Sequence, residues 1–216
     1  MKTSTKYIIG ALSLAAIGGG VLLYINRRKI SKVARNAVDL AKGEFDYWNE
    51  GSNQRKENEA SVFDRLKDYW QEGADIFWSK TKMVNEAWSA AFISYLMKKA
   101  GAGDDFKYSA SHSVYIRDAI KNRKEDNKNP FKGYKPEEVK VEKGDLVCYA
   151  RQGGVGYDTT GAYKSHCDMV IDVAKDKATT IGGNVSNSVS KTEVDLDDNK
   201  QIVDPKYFVV IKNKKR

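Results

Sequence analysis

The sequence predicts an α+β domain built on an antiparallel sheet. Apolar residues between Ile30 and Gly101 recur at three- and four-residue steps, the helical period, whereas after residue 139 they fall into short β-rich runs separated by turn residues. Helices first and strands afterwards give segregated layers rather than alternating βαβ units. The 216 residues suffice for one ordinary domain with an appendage, and 41% hydrophobic content is enough to close a core.

The amino end is hydrophobic. From Tyr7 to Asn26 the chain is uncharged, and as a helix it would reach about 30 Å, the thickness of a bilayer's hydrocarbon core. Tyr7 and Tyr24 stand at its ends, Lys2 and Lys6 precede it, and Arg27, Arg28, Lys29, Lys32 and Arg35 come after it. Residues 1–35 therefore read as a membrane anchor with a basic flank, and the charge asymmetry puts the remainder of the chain in the cytoplasm. Gly10 and Gly18 to Gly20 weaken the segment as a helix. Two alternatives stay open: a cleaved signal peptide, disfavoured by the apolar and basic residues after the small ones, and a helix shielded by a partner.

Residues 36–80 read as a helical lead-in. Ile30, Val33, Ala34, Ala37, Val38, Ala41, Phe45 and Trp48 mark one amphipathic helix ending near Gly51, and Val62, Phe63, Leu66, Tyr69 and Trp70 mark a second ending near Gly73. DYWNEG at 46–51 and DYWQEG at 68–73 echo each other, too few times for a solenoid, and Trp48 and Trp70 read as packing residues. Residues 81–216 form the main domain. Its helix, EAWSAAFISYLMKKA, has Asn85 as its expected N-cap and Gly101 as its stop, and it is apolar on nearly every side, hence buried. Ser89 lies in its first turn, where backbone N–H groups are free and the helix dipole is positive.

Five strands complete the chain: DLVCYA at 145, HCDMVIDV at 166, ATTIGG at 178, SVSKTEVDL at 188 and YFVVIKN at 207. Cys148 and Cys167, with His112 and His166, are too few soft ligands for a structural zinc site, and no metal or organic cofactor is expected. Both cysteines read as buried apolar residues, able to bridge only if their strands are neighbours and the compartment oxidises. GGVG at 153–156 follows no phosphate-loop pattern and reads as a flexible loop. A net charge of +8 suits anionic surfaces but selects none, and no specific nucleic acid is expected.

A residue at the start of a buried helix, a histidine on a following strand and a polar residue on the next strand are laid out as nucleophile, base and orienting group are in papain-like enzymes. EAWSAAFISYLMKKAG resembles the nucleophile helix of the CHAP and NlpC-type amidases. GDLVCYAR and SHCDMVIDV resemble the strands after that helix, the second carrying the histidine, and TIGGNVSNSVS resembles the segment that supplies the third polar group. With YWQEG, WSAAFIS and SHSVYI, residues 36–216 are most similar to bacterial domain-of-unknown-function family 2272, a distant relative of those cell-wall hydrolases. The resemblance implies a papain-like frame with Ser89, His166 and Asn184 as catalytic residues. His112, Trp88 and Asp168 read as residues at the substrate, with a satisfied structural histidine the alternative for His112. It implies an amide bond in cell-wall peptide as the target.

The relatives' catalytic cysteine falls on Ser89. A helix terminus and an imidazolium can turn a thiol into a thiolate but cannot ionise a serine hydroxyl, so Ser89 needs a true general base. Asp168 lies two residues from His166, on the same strand face, where it tunes the ring or is a solvated or hydrogen-bonded carboxylate. A peptidoglycan amidase or peptidase is one expectation. The other is a degenerate binding or structural module for cell-wall peptide or glycan, tethered to the membrane, set in a larger assembly, or delivered as an effector by a phage or secretion apparatus.

Overall fold

The computed structural model describes residues 30–49 and 54–216, and the hydrophobic segment 7–26 lies outside the described residues. Among the described residues no helix is long and apolar enough to cross a membrane. The described chain is α+β, with five α-helices and one six-stranded antiparallel sheet.

Helix α1, Lys32–Trp48, begins where the Ser31 hydroxyl accepts the Ala34 N–H at 3.1 Å and donates to the Asn213 carbonyl, so a helix cap also ties the helix to the last strand. Its apolar stripe, Val33, Ala37, Val38, Ala41 and Trp48, is buried, as helical spacing requires. Helix α2, Phe63–Asp68, runs on into a π-helical turn, Tyr69–Gly73, formed by the second YW-x-EG motif. Helix α3, Lys80–Asn85, is short and capped by Ser79. Asn85, the expected N-cap of the buried helix, therefore ends α3 instead. Helix α4, Ser89–Ala100, starts four residues later and stops at Gly101, whose φ of 89° is the left-handed conformation that suits glycine.

Helix α5, His112–Lys124, precedes strand β1, Phe131–Tyr134. The sequence patterns single out neither. The remaining strands fall on the expected runs: β2 Leu146–Ala150, β3 Ser165–Val173, β4 Lys177–Val185, β5 Ser188–Asp195 and β6 Tyr207–Asn213. Their order across the sheet is β1-β6-β2-β3-β4-β5. Helix α4 packs against α1, the π-helical turn, β3 and β4, which explains why nearly all of its residues are buried.

Two large features lock this frame. Trp48, Tyr69 and Trp88 stack with ring centroids 5.1 to 6.4 Å apart, and the Trp48 indole N–H donates to the Tyr69 hydroxyl, which donates to Glu44. Burial holds the Glu44 carboxyl above its ordinary pKa even though Tyr69 and Arg65 pull it down. Cys148 and Cys167 sit directly opposite each other on β2 and β3 and form a disulfide. The cysteines are buried, as expected, but bonded rather than free.

Candidate functional site

Three elements converge at one end of the sheet. Ser89 is the first residue of α4, His112 the first residue of α5, and His166 the second residue of β3. No side chain caps α4 in the described structure, so its opening N–H groups remain a positive, donor-rich terminus beside Ser89.

The Ser89 hydroxyl oxygen lies 2.7 Å from His112 Nε2. On the other side of that ring, His112 Nδ1 is hydrogen-bonded to the Tyr115 hydroxyl, one helical turn along α5. The His166 ring packs 5.1 Å from His112 and 5.2 Å from Tyr149, centroid to centroid. His166 Nε2 bonds to Asp168 Oδ1 at 2.8 Å, which the two-residue strand repeat permits. His166 Nδ1 is buried and has no hydrogen-bond partner among the described residues.

This geometry differs from the sequence expectation in two respects. Ser89 is held by His112, and His166 is oriented by Asp168 rather than by Asn184, since Asp168 occupies one ring nitrogen and the other is unpartnered. Asn184 sits at φ 56° where the β4–β5 ladder slips register. The glycines before it are what this segment brings to the site. A Cβ on Gly182 would lie 1.8 Å from Asp168 Oδ1 and 3.0 Å from His166 Nε2, and one on Gly183 would lie 2.6 Å from Phe92. Gly182 leaves room for the histidine–carboxylate pair, and Gly183 lets α4 press against β4. Trp88, expected at the substrate, is fully buried in the aromatic stack, with its indole N–H bonded to Glu57.

Electrostatics set the protonation. Burial first, then the neighbouring His166 and Arg151, holds His112 well below the ordinary histidine pKa, so it is neutral near pH 7. Burial and then the Asp168 charge push the Tyr115 hydroxyl well up, so it stays protonated. Ser89, His112, His166 and Asp168 are 3%, 5%, 1% and 2% exposed, which makes this a nearly closed polar cluster. Cavities of about 600 and 560 Å³ lie elsewhere, along α1, and none of these four residues lines them. Among the described residues no three His, Cys, Asp or Glu side chains are placed to hold a metal ion.

Sequence reasoning misses Tyr115, Tyr149 and Gly182 of this cluster, and it places His112 at the substrate rather than against Ser89. The available signal is SHSVYI, which as a helix puts His112 and Tyr115 on one face. No curated protein and no solved structure matches the chain. A bacterial family model described as "Uncharacterized protein conserved in bacteria (DUF2272)" matches residues 46–215, which contain every residue of the cluster. The chain belongs to that bacterial family.

Proposed function

We propose that the chain is a hydrolase on a papain-like frame, with Ser89 as nucleophile and an amide bond of cell-wall peptide as substrate. The observation that carries this reading is the 2.7 Å contact between the Ser89 hydroxyl and a neutral imidazole at the start of a buried helix. The substrate class rests on the resemblance of WSAAFIS, the histidine strand and the GGN segment to cell-wall amidases.

In this reading Ser89 donates its proton to His112 Nε2, so the neutral ring carries its own proton on Nδ1 and donates it to the Tyr115 oxygen. As the Ser89 oxygen attacks a carbonyl carbon, its proton passes to His112, and the oxyanion meets the first-turn N–H groups of α4. Collapse breaks the C–N bond and the leaving amine takes that proton. Water then attacks the acyl ester, gives a proton to His112, and the ring returns it to the departing Ser89 oxygen. Asp168 accepts from His166 Nε2, which leaves the Nδ1 lone pair to hold the water or the amine.

The disulfide bears on place. Bonded cysteines belong to oxidising compartments, where a domain meets cell wall, whereas the basic residues after the hydrophobic segment argue for the cytoplasm. We place the domain on the oxidising side, by export or delivery through a secretion or phage apparatus. A second reading draws on the depth of Ser89 and on a phenol, not a carboxylate, behind His112. It makes the cluster a buried structural network in a module that binds cell-wall peptide or glycan.

The test is digestion of purified peptidoglycan by the full chain, by Ser89→Ala and by His112→Ala, with released fragments read by mass spectrometry. Fragments from the wild type alone support the hydrolase. Equal silence from all three leaves the binding module.

A further inference from the structure

The β2–β3 pairing continues one step beyond the strands. Tyr149 opposes His166 and Ala150 opposes Ser165, and the Arg151 N–H then donates to the Lys164 carbonyl at 2.9 Å. Residues directly opposite in an antiparallel pair share a face, and the face repeats every second residue. Arg151 and Lys164 therefore stand on the same face as Tyr149 and His166, one step further out. Both are exposed, and neither forms an ion pair among the described residues. Lys206 also lies over the Tyr149 ring, at 5.5 Å, but Asp204 already pairs with it.

The second observation is independent of those cations. His166 Nδ1 is sealed from solvent yet unbonded, and a buried polar atom without a partner costs about 1–3 kcal/mol unless something fills the bond. The Arg151 charge contributes to lowering the pKa of both His112 and Tyr149. On the face of His166, then, stand two cations without an ion-pair partner among the described residues, and the carboxylate bonded to its ring is Asp168.

We propose that Arg151 and Lys164 form an anion subsite at the mouth of the Ser89 cluster, and that the ligand presents a single carboxylate beside the group that reaches His166 Nδ1. The subsite rests on the reading of Ser89 as nucleophile and gives it a specificity. The amide that is cut lies next to a free carboxylate, as at a residue whose α-carboxyl is not in peptide linkage. The two cations hold that carboxylate, and the scissile carbonyl then falls at Ser89.

The test separates the subsite from the nucleophile. In the full chain, Ser89→Cys is alkylated with iodoacetamide and, separately, with iodoacetate; in each case the thiolate sulfur bonds to the methylene carbon and iodide leaves. The iodoacetamide rate against that of a free thiol reports the nucleophile. The ratio of iodoacetate to iodoacetamide rates reports the subsite and should exceed the free-thiol ratio about tenfold. Adding Arg151→Glu with Lys164→Glu should bring the ratio to the free-thiol value or below. A ratio equal to that of a free thiol, or one insensitive to the double reversal, overturns the subsite even where iodoacetamide reacts fast. If the thiol is too enclosed to alkylate, the wild type is titrated with N-acetylalanine and followed by imidazole ¹⁵N NMR. Saturable movement of the His166 signal that the double reversal abolishes supports the subsite; no movement, or movement that survives the reversal, overturns it.

Discussion

Replacing Gly182 by Ala tests the site through its packing. The new methyl carbon would stand 1.8 Å from Asp168 Oδ1 and 3.0 Å from His166 Nε2, well inside contact distance, and both atoms belong to buried side chains that cannot swing into solvent. Either β4 shifts or the carboxylate leaves His166. Overpacking of a close-fitted core costs about 1–3 kcal/mol. Losing a buried hydrogen bond to a charged group adds about 1.5–3 kcal/mol. One response alone costs at least about 1 kcal/mol and both together about 2.5–6 kcal/mol, which for a domain of this size lowers Tm by at least about 2 °C. Urea unfolding measures the loss, and the downfield Nε2 proton of His166 in NMR reports the bond itself. Gly153→Ala is the control, since nothing lies within 4 Å of a Cβ there. A Gly182→Ala loss below about 1 kcal/mol with the His166 proton unmoved would refute the claim that this glycine makes room for the pair.

Replacing Cys148 and Cys167 together by Ala opens a bridge between residues 19 apart and should cost about 3 kcal/mol in urea unfolding. Equal stability of the variant and the oxidised wild type would show that the cysteines act as packing residues only. The buried His112 gives a pH dependence of definite sign. Its folded pKa lies below 6.5, so beneath that pH the unfolded chain takes a proton that the folded chain refuses. The stability contributed by the neutral ring is thus present above pH 6.5 and is lost as pH falls through and below it. His112→Gln should flatten that slope in unfolding measurements between pH 7 and pH 5, and an unchanged slope would mean that His112 ionises freely in the fold.

The fold is legible where periodicity is strong. Val33 to Trp48 carries a clear stripe and forms α1, and the five β-rich runs form five strands because alternation and turn residues bound them. The start of α4 is misplaced from sequence because Asn85 is a good N-cap by type, yet it belongs to α3, a helix too short to show a period. Helix α5 escapes notice because its exposed residues, Lys121 and Lys124, and the half-buried Arg117 dilute the apolar positions Tyr115, Ile116, Ala119 and Ile120. Strand β1 has only four residues, one of them a glycine that lies against Ile120, so its pairing with β6 is a tertiary fact with little local trace.

For the site the limits are of another kind. That Ser89, His112, His166 and Asp168 are candidate site residues is readable from their types and places. Which of them touch depends on α5, whose period is too weak to read. The glycines of the GGN segment look like a frame for Asn184, because a close approach between β4 and buried side chains leaves no mark on neighbouring residues. Under the proposed hydrolase reading, a serine rather than a cysteine as nucleophile gives a physical reason for the pairing of Ser89 with His112. A thiolate held by a helix terminus can sit a little apart from one imidazolium, since it is already ionised. A serine hydroxyl stays neutral until the moment of attack and must be bonded to a neutral base beforehand. In this chain His112 makes that bond, and His166 is left with Asp168 on one ring nitrogen and a buried, unpartnered second nitrogen. Under the hydrolase reading proposed above, Ser89 and His112 act as one unit.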